Sequence, residues 1–218
     1  AQSAKEATEI INKRFFDVII IMMRISDMDP IKFSQKIKKL YPKKPLVLLA
    51  FDQSELKDIS LHDQKIFDEI FIWSGNSNVF PAAIKSIEDK KNISKDVKTA
   101  DIRTVLFIED NPRYYSSILP ILYKEVISNT KKLIDKSLNN SQKILHMRAR
   151  PKIILLKNYE DAVKYINKYR FNILGIISDL RYPYKKNKNH LSGLKLINYL
   201  NKIESAIPII LQTTEKHI

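Results

Sequence analysis

Cysteine is absent from the 218 residues, glycine occurs three times and tryptophan once. Without cysteine there is no disulfide, no thiolate metal site and no thiol nucleophile. Three glycines beside nine prolines argue against a glycine-loop or low-complexity protein. No apolar run is long enough to cross a bilayer and the opening residues are polar rather than signal-like, so no membrane association and a cytoplasmic location are expected. Acid is the scarcer charge, with 24 Asp and Glu against 38 Lys and Arg, a net charge of +14. A basic excess is compatible with nucleic acid or an anionic surface. The basic residues are mostly lysines scattered among Ile and Asn, with no recognition helix, aromatic RNA signature or zinc module. A solvated lysine-rich surface is expected, and nucleic acid is not expected as a partner.

What the chain does have is an alternation of short apolar runs with helical patterns. The first helix covers residues 4–13. A β-branched run at 15–23 predicts a strand, and Asp29-Pro30 then opens a helix, Asp as its cap and Pro in its first turn. A strand at 46–51, a weakly helical stretch, a strand at 66–73 and a helix from Val79 to about Lys91 follow. The charged residues 88–98 predict a linker, with a domain boundary near 98. Beyond it come a strand at 104–108, a long helical pattern at 112–138 that Pro120 is expected to kink or delay, and a short helix to about Met147. Strand 152–156, helix 159–169, strand 173–178, a polar loop, helix 192–203 and strand 208–212 complete the pattern. Alternation of this kind predicts an α/β protein with two parallel sheets.

Three runs carry chemistry at their ends. Val105-Leu106-Phe107-Ile108 stops on Glu109-Asp110. Ile173-Leu174-Gly175-Ile176-Ile177-Ser178 stops on Asp179, and Pro208-Ile209-Ile210-Leu211-Gln212 stops on Thr213. Buried parallel strands read as continuous apolar runs, and open α/β sheets bind ligands beyond their carboxyl ends. Three such strands side by side gather two acids, a third acid and a hydroxyl in one crevice, a layout able to hold a divalent cation beside a nucleophilic carboxylate. The plainer alternatives are Asp179 as a loop cap and Asp110 as the N-cap of the helix near Pro112.

Residues 101–218 resemble the receiver domain of two-component response regulators. Ile108-Glu109-Asp110-Asn111, Ser178-Asp179-Leu180-Arg181-Tyr182-Pro183, Ser192-Gly193-Leu194 and Pro208 to Thr213 look like that family's acidic pair, phosphoacceptor segment, third-helix start and fourth-strand hydroxyl. The resemblance implies a flavodoxin-like fold and phosphorylation on Asp179, with Thr213 binding the phosphoryl oxygens and coupling the event to the following loop. It further implies Mg²⁺ held by Glu109, Asp110, Asp179 and the Arg181 main-chain carbonyl. The implied partners are a histidine kinase or small phosphodonor and an output domain.

Residues 1–98 look like the later part of a second receiver with its chemistry removed. Met22, or Arg24 in the other register, stands at the phosphoacceptor position, Ala50 at the hydroxyl and Trp73 at the closing lysine. Both halves, 1–98 and 99–218, are expected to be incomplete at the chain ends, the first lacking its opening strands and the second its last strand, helices and lysine. The helical insertion at 112–150 and the basic run Met147 to Lys152 carry a narrower resemblance, to receiver-like pairs that precede domains similar to pyruvate, phosphate dikinase or phosphoenolpyruvate synthase. A non-catalytic scaffold for dimerisation or partner binding is the competing reading. The strand Val18–Met22 is expected to leave an apolar edge, covered by another copy in a homodimer or by the other half. Two further candidates are Lys143, Arg148, Arg150 and Lys152, an anion site or a solvated helix face, and the loop Lys185 to His190, a phosphodonor contact or a charged tip.

Overall fold

β-Branched and leucine-rich runs too short to be helices pair in parallel, and the helices between them cover the sheets. The computed structural model describes residues 1–185 and 191–213, the side chain of Arg148 excepted, and shows an α/β chain with a three-stranded and a four-stranded parallel sheet. The chain divides into two units, Ala1–Ile87 and Glu88–Ile218.

In the first unit α1 (Ala4–Lys13) leads to β1 (Ile19–Met22), α2 (Pro30–Leu40), β2 (Leu46–Ala50), the short α3 (Gln53–Lys57) and α4 (Leu61–Gln64), β3 (Glu69–Ile72) and α5 (Val79–Ala100). Asp29 caps α2 by accepting the Lys32 N–H at 2.8 Å. The strand order is β1-β2-β3, with Ile21 opposite Leu48 and Leu49 opposite Phe71. Ile21, Phe33, Ile37, Leu46, Leu48 and Leu56 form the core on one side. The expected strand at 15–23 is shorter, because pairing starts where the Ile19 N–H reaches the Pro45 carbonyl at 3.0 Å. Phe15 is left 79% exposed beneath the Lys44 ammonium. Among the described strands β1 pairs with β2 alone, and a cleft of about 580 Å³ runs beside the consecutive residues Val18 to Met22.

In the second unit the end of α5 is followed by β4 (Thr104–Ile108), α6 (Pro112–Asp135), α7 (Asn140–Arg148), β5 (Lys152–Leu156), α8 (Tyr159–Tyr169), a 3₁₀ turn at Arg170–Asn172, β6 (Ile173–Asp179), α9 (Ser192–Lys202) and β7 (Ile209–Gln212). The order is β5-β4-β6-β7, all parallel. Leu106, Ile108, Ile154, Ile166, Ile176 and Leu196 make its core. α6 starts at Pro112 and runs through Pro120, which is buried with Leu119 and Tyr123, so the expected late start does not occur. Leu174 is an extra residue in β6. Thr104 pairs with Ile173 but Val105 with Gly175, a bulge that leaves Leu174 46% exposed and sets Ile108 opposite Ser178.

Residues 88–98 are helix rather than linker, and the boundary falls between Ile87 and Glu88 rather than near 98. The reason is Asp89, fully buried in the second unit. Its carboxylate accepts from both terminal nitrogens of Arg150, from Lys152 Nζ at 3.3 Å, from the Tyr123 hydroxyl at 3.1 Å and from the Ile153 N–H at 3.0 Å. Lys152 also meets Asp96 at 2.8 Å. This network overturns both readings of Arg150 and Lys152, as an open anion site and as a solvated face: their charges are spent internally. Removing one member of a buried ion network costs on the order of 3–5 kcal/mol. Asp89→Ala is therefore expected to lower the unfolding free energy of the second unit by about that much in a guanidinium titration. A loss under about 0.5 kcal/mol, the size of an exposed surface change, would contradict this account.

Candidate functional site

The carboxyl ends of β4 and β6 converge on one group of acids. The Glu109 N–H donates to the Leu156 carbonyl at 3.0 Å, which extends the β4–β5 ladder past Ile108 and brings Glu109 inside the sheet, 2% exposed. Asp179 ends β6, one residue past the Ile108–Ser178 pair, so Glu109 and Asp179 come side by side. Asp110 is the third member. One carboxylate oxygen from each of Glu109, Asp110 and Asp179 lies within 4.8 Å of the others. The helix cap that Asp110 was a candidate for is supplied by Asn111, whose side chain accepts the Arg113 N–H at 3.0 Å.

Glu109 and Asp179 are held from the backbone or a neighbour. Glu109 Oε1 accepts the Asn111 N–H at 3.0 Å, and Oε2 accepts the Gln212 carboxamide at 3.3 Å. Asp179 Oδ2 accepts the Arg181 N–H at 3.4 Å. The loop leaving Asp179 is fastened twice. The Leu180 N–H donates to the Gln212 carbonyl at 3.1 Å, and the Gly193 N–H to the Leu180 carbonyl at 3.0 Å. Tyr182 and Ser192 exchange bonds, hydroxyl to carbonyl in both directions, at 3.2 and 2.7 Å. At Gly193 the backbone comes so close that a Cβ would sit 2.7 Å from the Asp179 carbonyl oxygen.

Of the residues expected at this site, Glu109, Asp110 and Asp179 are together. Arg181 is exposed and offers its N–H to Asp179. Thr213 is exposed at the position after β7, one residue beyond Gln212, which pairs in register with Asp179. Residues 186–190 of the basic loop, like the Arg148 side chain, lie outside the described residues. Gln212 is the contributor that sequence reasoning missed. A polar amide as the last residue of an apolar strand was the available signal. At the corresponding ends of the first unit stand Met22, Ala50 and, after Ile72, Trp73, packed against Phe51 and Phe80 at 5.5 and 6.0 Å between ring centres.

The electrostatics follow from burial. Desolvation, with Asp179 and Asp110 adding repulsion, raises the Glu109 carboxyl from 4.5 to about 7, against the Asn111 and Gln212 bonds that favour the anion. The donor set fits a hard cation: three carboxylates, no nitrogen or sulfur ligand, and a mutual repulsion that positive charge relieves. The chain matches no protein-family model and no curated sequence. Among the described residues no helix is long and apolar enough to cross a membrane.

Two outcomes are expected. The folded chain keeps a proton on Glu109 that the unfolded chain has released above pH 4.5, so in metal-free buffer stability falls as pH rises from 4.5 to about 7 and stays low above that. Glu109→Gln should remove this slope and add up to about 3 kcal/mol at pH 8, read from unfolding midpoints across pH; an unchanged slope would contradict it. Gly193→Ala should cost about 1–3 kcal/mol, since the atom it meets is main-chain and cannot turn aside. A neutral substitution would show that α9 shifts freely.

Proposed function

We propose that the second unit is a Mg²⁺-dependent phosphoacceptor module in which Asp179 takes a phosphoryl group from a histidine kinase or a small phosphodonor. The phosphorylated state then signals to an output domain, attached or separate. The observation that carries this reading is the acid group itself: carboxylates from two adjacent parallel strands, within 4.8 Å, at the carboxyl end of the sheet. The strand order β5-β4-β6-β7 supports it, since counted within the unit it is 2-1-3-4, the flavodoxin-like order with its crevice at the first and third strands.

Asp179 is the nucleophile because it ends its strand partly exposed, whereas Glu109 is buried. One of its oxygens attacks phosphorus in line, the donor's bridging bond breaks, and an acyl phosphate remains on the side chain. Glu109 and Asp110, with the Arg181 carbonyl, are the residues for Mg²⁺, which when bound offsets the repulsion between these acids and the incoming phosphoryl group. The loop fastened by Tyr182, Ser192 and Gly193 keeps Asp179 aimed, and Thr213 is the hydroxyl for the new phosphoryl oxygens. The first unit is the non-catalytic partner of this pair. Its strand ends carry Met22, Ala50 and the Trp73 cluster, with Arg24 over the Phe51 ring at 5.2 Å, and it serves to bind or dimerise.

Beryllofluoride mimics an aspartyl phosphate, and its titration in Mg²⁺ is the direct test. Saturable binding is expected, abolished in Asp179→Ala and weakened at least about tenfold in Glu109→Gln, the scale of one lost charged ligand. No binding, or binding unchanged in Asp179→Ala, removes the phosphoacceptor reading and leaves an interaction scaffold.

A further inference from the structure

Away from the acids, two segments of the second unit line one groove with lysines and tyrosines, and a third sets a lysine against its tyrosine rings. On α8, Lys164 and Lys168 are exposed four residues apart, on one helix face beside Tyr159 and Val163. Tyr184 and Lys185 form the facing wall of a groove of about 670 Å³. Tyr159 and Tyr184 pack edge to face, 5.0 Å between centres and 81° between planes. Lys195 of α9 places its ammonium 3.4 Å from the centre of the Tyr184 ring and 5.6 Å from that of Tyr159, and Lys185 lies 5.5 Å from the Tyr184 ring.

The groove is built rather than incidental. Lys185 has φ +45°, a left-handed conformation that a non-glycine residue holds only where its surroundings compensate. Its N–H donates to Glu160 Oε1 at 2.9 Å, and the Tyr159 N–H donates to the Pro183 carbonyl at 3.0 Å. These bonds tie the wall to the start of α8. Glu160 is the one acid among the described lining residues, against Lys164, Lys168 and Lys185. Tyr184 also engages these lysines: hydrogen bonding by Lys195 first and Lys185 next holds its phenol below the ordinary value.

We propose that this groove docks an acidic polypeptide segment, its carboxylates meeting Lys164, Lys168 and Lys185 and an intervening apolar side chain resting on Val163 and the tyrosine edges. Charge complementarity selects the partner's sign. The ring geometry selects its class. Single-stranded nucleic acid binds by stacking bases on open aromatic faces, and here the Lys195 ammonium covers a face of Tyr184 while the two rings engage each other. An extended or helical peptide needs only cations at the rim and a shallow apolar floor. The inference stands apart from the phosphoryl chemistry and survives if that reading fails.

The test is fluorescence anisotropy of the intact chain with a fluorescein-labelled twelve-residue peptide of glutamates interrupted by leucines, and separately with labelled oligothymidylate. Lys164→Glu with Lys168→Glu is compared with Lys131→Glu with Lys132→Glu on α6, an equally exposed pair that changes net charge by the same amount. The α8 pair should weaken peptide binding on the order of tenfold while the α6 pair changes it less than about twofold. No binding of the peptide to the unmodified chain, equal losses in both pairs, or oligothymidylate binding that exceeds the peptide's and depends on the α8 pair would each overturn the proposal.

Discussion

The second unit is arranged around a repulsion. Three carboxylates within 4.8 Å, one of them 2% exposed, cannot all be ionised cheaply. Glu109 takes the strain, since it is the buried one, and its carboxyl moves to about 7. Everything that makes the cluster possible is a constraint on backbone: the β4–β5 ladder carried one residue past Ile108, the fastened loop after Asp179, and the cap supplied by Asn111 rather than Asp110. Positive charge beside these acids would relieve that repulsion, and this is the physical ground for proposing a cation there.

The same unit buries a second acid in the opposite way. Asp89 is as inaccessible as Glu109, yet it receives Arg150, Lys152, a tyrosine hydroxyl and a main-chain N–H. Its bonds join α5 to the start of β5, while Glu109 sits where β4 ends. Charge satisfied within the chain holds the scaffold, and charge left to repel is what makes the acid group a candidate site. The contrast is made with carboxylates of nearly equal burial, so solvent access does not explain it. Partner choice does.

Strands, helices and their alternation were legible because each core run is continuous and β-branched, and helix starts such as Asp29-Pro30 carry their own signal. The acids at the ends of 104–108 and 173–179 were legible for the same reason. What the sequence hid was non-local. The linker at 88–98 looked polar because the partners of Asp89 lie about sixty residues away, at Arg150 and Lys152. The edges of β1 and β3 retracted because pairing geometry, not hydrophobicity, ends a strand. Phe15 is apolar and outside the ladder.

The bulge at Leu174 shows how little separates a site from none. One extra residue in β6 shifts the pairing so that Ser178 meets Ile108 and Asp179 arrives beside Glu109. Since side chains alternate along a strand, an unbulged β6 would present the other face at the crevice and turn the carboxylate away. No periodicity rule sees this, because Ile173-Leu174-Gly175-Ile176 reads as uninterrupted strand in either register. The first unit puts the point in relief. Its sheet is parallel and its strand ends converge in the same way, but Met22, Ala50 and Trp73 bring nothing to repel or coordinate. Architecture supplies the crevice, and register with residue type decides whether any chemistry can occupy it.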